Sequence, residues 1–379
     1  MAQQPFTFDL IATDEAARAG VFHTPHGALE TPVFAPVGTQ GTVKAVTPRD
    51  LSDLGATLVL ANTYHLYLRP GDDVVHELGG LHDFMGWDGP ILTDSGGFQV
   101  WSLGQINAID DEGVTFSSHI DGSRHRLTPE QSIAIQQNLG ADIIMCFDEL
   151  ADPDNLDYIQ VALERTHAWA RRCKEAWTNR ERQALFGIVQ GGIFDDLRKR
   201  SVEELLRIEF PGYAVGGLSV GESKPDMYRI LDVLEPLLPA DRPRYLMGVG
   251  TVEDLVNGVA RGVDIFDCVL PTREARHGAA LSLHGRMNLL NARYHRDPRP
   301  IDEACECYTC QHFSRAYLRH TFKAKEIIAA TLLTIHNLHT LISLTRAMRE
   351  AIVAGRFASF ANQILSELSI HANKPDVSS

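Results

Sequence analysis

Short, nearly continuous apolar runs recur along the chain. Each ends in glycine or polar residues and is followed by a stretch with apolar positions at helical spacing. Eight such runs occur, at residues 33–37, 57–60, 90–93, 142–147, 185–189, 213–215, 244–247 and 263–266. Runs of this length without alternation are what parallel strands require when both faces are buried, and the stretches between them supply the crossover helices. Thr128-Pro129-Glu130 predicts a capped helix start with proline at the first helical position, 195–208 carries apolar residues at helical spacing, and in 251–260 Asp254 follows the cap candidate Thr251 at capping-box distance. Eight strands alternating with helices predict an α/β fold of the (β/α)8 TIM-barrel kind, with an added hairpin within 114–127. An open doubly wound sheet is the alternative, but Gly38-Thr39-Gln40-Gly41 lacks the phosphate-loop pattern expected after its first strand. We expect one barrel domain over 1–379, a metal-binding subdomain at about 300–345 followed by C-terminal helices, and a frayed tail at 371–379.

Barrel enzymes work at the C-terminal ends of their strands, so those positions are the site candidates. They hold Asp94-Ser95-Gly96-Gly97-Phe98-Gln99, Asp148-Glu149, Gln190-Gly191-Gly192, Gly216 to Glu222, and Asp267-Cys268. The first strand end has no His-x-His pair, which disfavours a metal-dependent hydrolase. Asp94 and Asp267 suit chemistry at an acetal-like carbon, one attacking the carbon and the other handling the leaving group's proton. The plainer role for either is a helix cap. Glycine pairs nearby leave room for a flat ligand. Gln190 and Asp148 could then read an amide edge such as a purine presents, with Phe98 and Met247 closing on its faces unless they are core fillers.

Composition changes this picture in two places. The net charge of -14 argues against a protein that coats nucleic acid nonspecifically, yet residues 271–325 hold ten basic side chains against five acidic. That segment, with His277, His284, His295 and Tyr294 among its cations, is either a solvated basic face or a dock for a phosphate backbone. Within it Cys305, Cys307 and Cys310 are clustered, while Cys146, Cys173 and Cys268 are scattered. Three thiols at such spacing predict a structural zinc ion rather than disulfides. We take the fourth ligand from His336, on a long helix predicted over 323–357, a choice that spacing alone leaves open against His339, His312 and His320. No run approaches 18 consecutive apolar residues and the first ten residues lack a secretion signal, so we expect a cytoplasmic protein with no membrane span.

Taken together, Asp94-Ser-Gly-Gly-Phe-Gln, Val189-Gln-Gly-Gly, Gly216-Gly-Leu-Ser-Val-Gly-Glu, Phe266-Asp-Cys-Val-Leu-Pro-Thr-Arg and the Cys-x-Cys-x2-Cys with His336 resemble the queuine tRNA-ribosyltransferases, the tRNA-guanine transglycosylases. The resemblance spans about residues 6–366. It implies a zinc-bearing barrel that exchanges guanine at the wobble position, 34, of tRNAs with G-U-N anticodons (those for Asp, Asn, His and Tyr). It further implies Asp267 as the nucleophile on ribose C1′, Asp94 as general acid/base, and Asp148, Gln190 and Gly217 as readers of the purine edge. Phe98 and Met247 would stack on the ring, and Leu218 and Glu222 would form the peptide that adapts to the incoming base. Arg273 and Arg276 would contact the anticodon, and Cys305, Cys307, Cys310 and His336 would hold one structural Zn2+ per subunit of a homodimer. Val37 and Val220, where a roomier pocket would have glycine, imply the bacterial type, with 7-aminomethyl-7-deazaguanine entering and guanine released. Leu150 and Thr251 depart from the family pattern, which often has Cys and Lys there. A non-catalytic tRNA-binding subunit of a heterodimer is disfavoured by the retention of both Asp94 and Asp267, and a sugar hydrolase by the base-reading set.

Overall fold

The computed structural model describes residues 6–103, 105–153 and 155–372. Eight parallel strands form its centre: β1 (Val33–Pro36), β2 (Val59–Ala61), β3 (Ile91–Thr93), β4 (Ile143–Met145), β5 (Ala184–Val189), β6 (Gly212–Val215), β7 (Arg244–Leu246) and β8 (Ile265–Cys268). They pair in sequence order from β2 round to β8, and β8 pairs with β1. A bridge from Val37 to Leu60, with Gly38 N donating to Leu60 O at 2.6 Å, brings β1 back to β2 and closes the ring. All eight predicted strands are present, in a nearly closed barrel. β8 begins two residues later than expected, so Asp267 and Cys268 are its last residues rather than the turn after it.

The unbroken apolarity of the runs has a direct cause. Val33, Ala35, Leu60, Leu92, Ile143, Met145, Phe186, Ile188, Ala214, Tyr245 and Ile265 fill the barrel interior. Their neighbours Phe34, Val59, Ile91, Ile144, Leu185, Val215, Leu246 and Phe266 join the core shared with the surrounding helices. Both faces of each strand are therefore dry, and alternation has nothing to mark.

A three-stranded antiparallel sheet absent from the sequence prediction, Phe8–Asp14, Ala17–Thr24 and Gly27–Thr31, stops the floor of the barrel. Its Phe8, Phe22 and Leu29 enter the interior cluster, with the Phe22 ring edge-on to Phe186 at 5.8 Å. Only the opposite end remains for a ligand. The predicted hairpin at 114–127 is part of a three-stranded sheet made of Gln105–Asp110, Gly113–Ser117 and Arg124–Leu127.

The helices start as predicted where caps were named. Thr128 accepts from Gln131 N and Gln131 returns the bond, a full capping box for Pro129–Leu139. Thr251 caps Val252–Val259 by accepting from Asp254 N, but the Asp254 carboxylate takes the Thr251 hydroxyl at 2.5 Å rather than its backbone N–H, so the box is incomplete. The helix predicted over 323–357 is shorter, Ile327–Val353. Lys325, at φ 59°, breaks it from Arg315–Lys323, and Gly355, at φ 63°, from Phe357–Ala372. That last helix includes residues 371 and 372, which the predicted frayed tail had claimed; 373–379 lie outside the described residues. Ile327–Val353 is long and apolar enough to cross a membrane, with a mean hydropathy of 1.5 over its best window, but 67% of that window is buried inside the protein.

Candidate active site and metal centre

The strand ends bring three buried aspartates to the open end of the barrel, each held by uncharged donors. Asp94, just past β3, accepts from Asn62 Nδ2 at 2.6 Å on Oδ2 and from Thr63 N at 2.8 Å on Oδ1, while Thr63 Oγ1 donates to its carbonyl at 2.5 Å. Thr63 is the first residue of the short helix Thr63–Leu68. Asp94 does not cap the helix after its own strand; its carboxylate instead takes the first N–H of the helix after β2, whose N-cap is Asn62. The helix after β3, Gly97–Ser102, begins at Gly96 with no side-chain cap. Burial pushes the Asp94 carboxyl up to about 6, the two donors pull it down, and the nearby Asp267 charge raises it again.

Asp267 is anchored differently. Tyr245 Oη donates to its Oδ1 at 2.6 Å and Gly248 N to the same oxygen at 2.8 Å. Among the described residues no group bonds Oδ2, so one oxygen is fixed and the other is available to a ligand. Burial raises its carboxyl above the ordinary value, against those two donors. Tyr245, filling the barrel interior, thereby carries the nucleophile candidate on a rigid strand.

Asp148, after β4, joins Asp94's loop to β5: Ser95 Oγ donates to Oδ1 at 3.0 Å and Gln190 Nε2 to Oδ2 at 2.7 Å. Burial raises it too. Two glycines have no substitute here. A Cβ at Gly97 would stand 2.7 Å from Asp148 O, and one at Gly217, where φ is +63°, would stand 2.3 Å from Gln190 Oε1. The Gln190 carboxamide therefore lies against the Gly217 backbone, so donors and acceptors of both converge. Leu218 is buried; Glu222 accepts from Ser219 N and from Val220 N at 3.1 Å, which fixes the turn after it. Met247 is half-buried at the edge of the interior cluster, while Phe98 is exposed beside Trp101, with ring centroids 5.9 Å apart. Neither side chain is an ordinary core filler.

The two departures are accounted for locally. Leu150 is buried, and the cysteine nearby in sequence, Cys146, is buried beside Cys173. Thr251 spends its hydroxyl on the helix cap. Arg273 and Arg276 stand exposed on Leu270–Arg276, just beyond β8, and among the described residues neither enters an ion pair. Elsewhere in the basic segment Arg286 pairs with Glu274, and Arg299 and Arg315 share Asp297.

Cys305, Cys307, Cys310 and His336 converge as predicted, their ligand atoms within 4.8 Å of one another. His336 Nδ1 lies 3.6, 3.6 and 3.3 Å from the three sulfurs. A tetrahedral ion with bonds of about 2.3 Å to sulfur and about 2.0 Å to nitrogen separates them by about 3.5 Å, so the donor set fits zinc. His336 Nε2 lies 2.8 Å from Leu281 O, a bond that requires a proton on Nε2 and leaves Nδ1 as the ligand. His339 reaches only Cys305, at 3.5 Å, and His312 and His320 are exposed. With four protein donors a bound ion would have no open position, and it would tie the 305–310 loop to the long helix.

Sequence reasoning missed Asn62, Thr63, Tyr245 and Gly248, which set the two carboxylates. The strand-end rule applied to β2 and β7 names Asn62, Thr63 and Gly248, which follow those strands, though not the carboxylates they hold; Tyr245 lies in the middle of β7, where that rule does not look.

Comparisons with known proteins agree with this geometry. The family model for queuine tRNA-ribosyltransferase matches residues 13–369. Proteins named queuine tRNA-ribosyltransferase from Caldanaerobacter subterraneus subsp. tengcongensis and Herpetosiphon aurantiacus are 58% and 57% identical, covering 93% and 95% of this chain and 94% and 92% of their own. A third, from Symbiobacterium thermophilum, is 58% identical over 92% of this chain and 88% of its own. The chain belongs to the queuine tRNA-ribosyltransferase family, a family of pentosyltransferase enzymes.

Proposed function

We propose that this protein exchanges guanine at position 34 of tRNAs with G-U-N anticodons for 7-aminomethyl-7-deazaguanine, through a covalent bond between Asp267 and ribose C1′. The observation that carries the reading is the asymmetry of Asp267: one oxygen pinned by Tyr245 and Gly248, the other with no bond from the described residues, on a carboxylate beside a second buried carboxyl.

Chemistry follows from that arrangement. Asp267 Oδ2 attacks C1′ as the C1′–N9 bond breaks, and the bond's electron pair leaves on the guanine. The protonated Asp94 gives its proton to that nitrogen, so neutral guanine departs. The incoming base then returns a proton to Asp94, its nitrogen attacks C1′ and the Asp267 ester bond breaks. Two inversions give retention at the sugar carbon. Gln190, Asp148 and the Gly217 backbone read the purine edge, with Phe98 and Met247 on its faces once the nucleotide is splayed out of the loop. Leu218 and Glu222 form the adaptable peptide, and buried Val37 with Val220 keeps the pocket small, which suits an aminomethyl substituent. Arg273 and Arg276, in no ion pair among the described residues and beside β8, suit a short single-stranded anticodon despite the charge of -14. We further propose one zinc ion in the Cys3His site, action as a homodimer, and a cytoplasmic location.

The test is incubation with unmodified tRNA bearing a G-U-N anticodon and radiolabelled guanine. Label enters that tRNA and not one with another anticodon; no incorporation by the intact, metal-loaded protein overturns the reading.

A further inference from the structure

Arg198 lies on the helix Asp195–Ile208, yet its side chain is wholly buried. No carboxylate among the described residues pairs with it. Its guanidinium binds main-chain carbonyls instead: Nε donates to Gly192 O at 2.8 Å, Nη1 to Val189 O and Gly216 O at 2.8 Å each, and Nη2 to Gly217 O at 3.4 Å. Those four carbonyls flank Gln190 on one loop and form the Gly216–Gly217 turn on the next. Burial lowers the guanidinium to about 9, which leaves it cationic at neutral pH. The Glu222 charge offsets part of the burial cost from a distance, but no carboxylate among the described residues touches the guanidinium, and such a cation is costly where packing alone is needed, because an apolar side chain would fill the same volume.

Peptide planarity gives the arrangement a direction. In a trans peptide the C=O and N–H point opposite ways. With the Gly216 and Gly217 carbonyls turned back onto Arg198, the N–H groups of Gly217 and Leu218 point away from it, and the Gln190 carboxamide packs against the same Gly217. The cation also polarises the two peptides, which strengthens their N–H groups as donors. One residue further on control changes hands, since Ser219 N is held by the Glu222 carboxylate.

We propose that Arg198 is a positioning residue for base recognition: it grips the loops after β5 and β6 from behind and fixes the Gly217 and Leu218 N–H groups and Gln190 as one rigid purine-reading edge. The proposal rests on the purine pocket proposed above. It assigns Arg198 to affinity for the base and not to tRNA docking or to the covalent step.

The test uses Arg198→Lys and Arg198→Gln in the full-length, metal-loaded protein. Guanine affinity is measured by calorimetry, and KM for guanine and for tRNA in steady state. A lysine ammonium cannot span both loops. The Lys variant should therefore weaken guanine binding and raise its KM by about tenfold, raise KM for tRNA by less because contacts outside the pocket also hold the tRNA, and keep metal content close to wild type. Gln should weaken binding further; if it fails to fold, the Lys variant decides. Guanine affinity within about twofold of wild type in Arg198→Lys, or a fall in kcat alone, overturns the role of Arg198. Absence of guanine binding by the wild type overturns instead the pocket on which the proposal rests.

Discussion

Buried aspartates stand at both ends of this barrel, and their partners differ by end. At the floor, Asp264 is gripped by Arg18, whose Nε donates to Oδ1 and whose Nη2 lies beside Oδ2, both at 3.1 Å, and Arg244 N donates to Oδ2 at 2.7 Å. Asp142 binds His26 Nδ1 at 2.8 Å and His82 Nε2 at 3.2 Å, while the backbone N–H groups of His26 and Ile91 take up its remaining capacity. At the open end, the donors to Asp94, Asp148 and Asp267 among the described residues are amides, hydroxyls and backbone N–H groups only. A raised pKa does not separate the two ends, because burial pushes both Asp264 and Asp94 up to about 6. The partners do. A cation or a full set of donors finishes a carboxylate's chemistry, whereas neutral donors fix its position and leave its charge, and in Asp267 an oxygen, for a substrate.

That contrast can be broken by exchanging effects between the ends. Asp264→Ala strands Arg18 in the floor, so urea unfolding should show a loss of about 3–5 kcal/mol, while kcat of the folded enzyme stays within about twofold. A large fall in kcat would mean that the floor is not merely structural. Asp267→Asn keeps the Oδ1 acceptor for Tyr245 and Gly248 and loses only the charge and the free oxygen. Its kcat should fall by about 10^3-fold or more. The ionised carboxylate is disfavoured by burial, and that penalty applies above its raised folded pKa. The variant should therefore unfold at the same or a higher temperature than wild type at pH 7–8, and a clear destabilisation would place Asp267 with the floor group.

Acidity sharpens the comparison further. The Asp94 proton is present below about 6 and lost above it. Single-turnover attack on C1′ should thus slow by about tenfold per pH unit above that value. The return step, which needs the Asp94 carboxylate, should rise by about tenfold per pH unit below that value and level off above it. A flat profile in both steps would remove Asp94 from proton transfer. The smallest effect belongs to the exposed cations: Arg273→Ala should lower the slope of log affinity for tRNA against log salt by about 0.7 and leave guanine binding unchanged.

Much of the fold was legible because its signals are local. The strands announce themselves by apolar runs dry on both faces, and Thr128 and Thr251 mark helix starts by their own side chains. The floor sheet was not legible. In Phe8–Asp14 the apolar Leu10 and Ile11 are exposed, so apolarity does not mark its buried face, and its purpose depends on a barrel mouth that no local window contains. The site divides the same way. Asp94, Asp148, Gln190 and Asp267 sit at strand ends and could be named in advance, whereas Asn62 and Tyr245 act on carboxylates 32 and 22 residues away, which only the closed ring brings together. His336 and His339 lie on one helix, and only the folded chain separates them: His336 reaches all three sulfurs with the carbonyl of Leu281 behind it, whereas His339 reaches Cys305 alone.

The central claim is that Asp267 carries the ribose. Mixing the protein with G-U-N tRNA, quenching in denaturant and running a denaturing gel should show a protein–tRNA adduct that chases to free tRNA when guanine is added before the quench, with mass spectrometry placing the ribose on Asp267. The account predicts this adduct for the wild type and none for Asp267→Asn. An adduct formed undiminished by Asp267→Asn would contradict it.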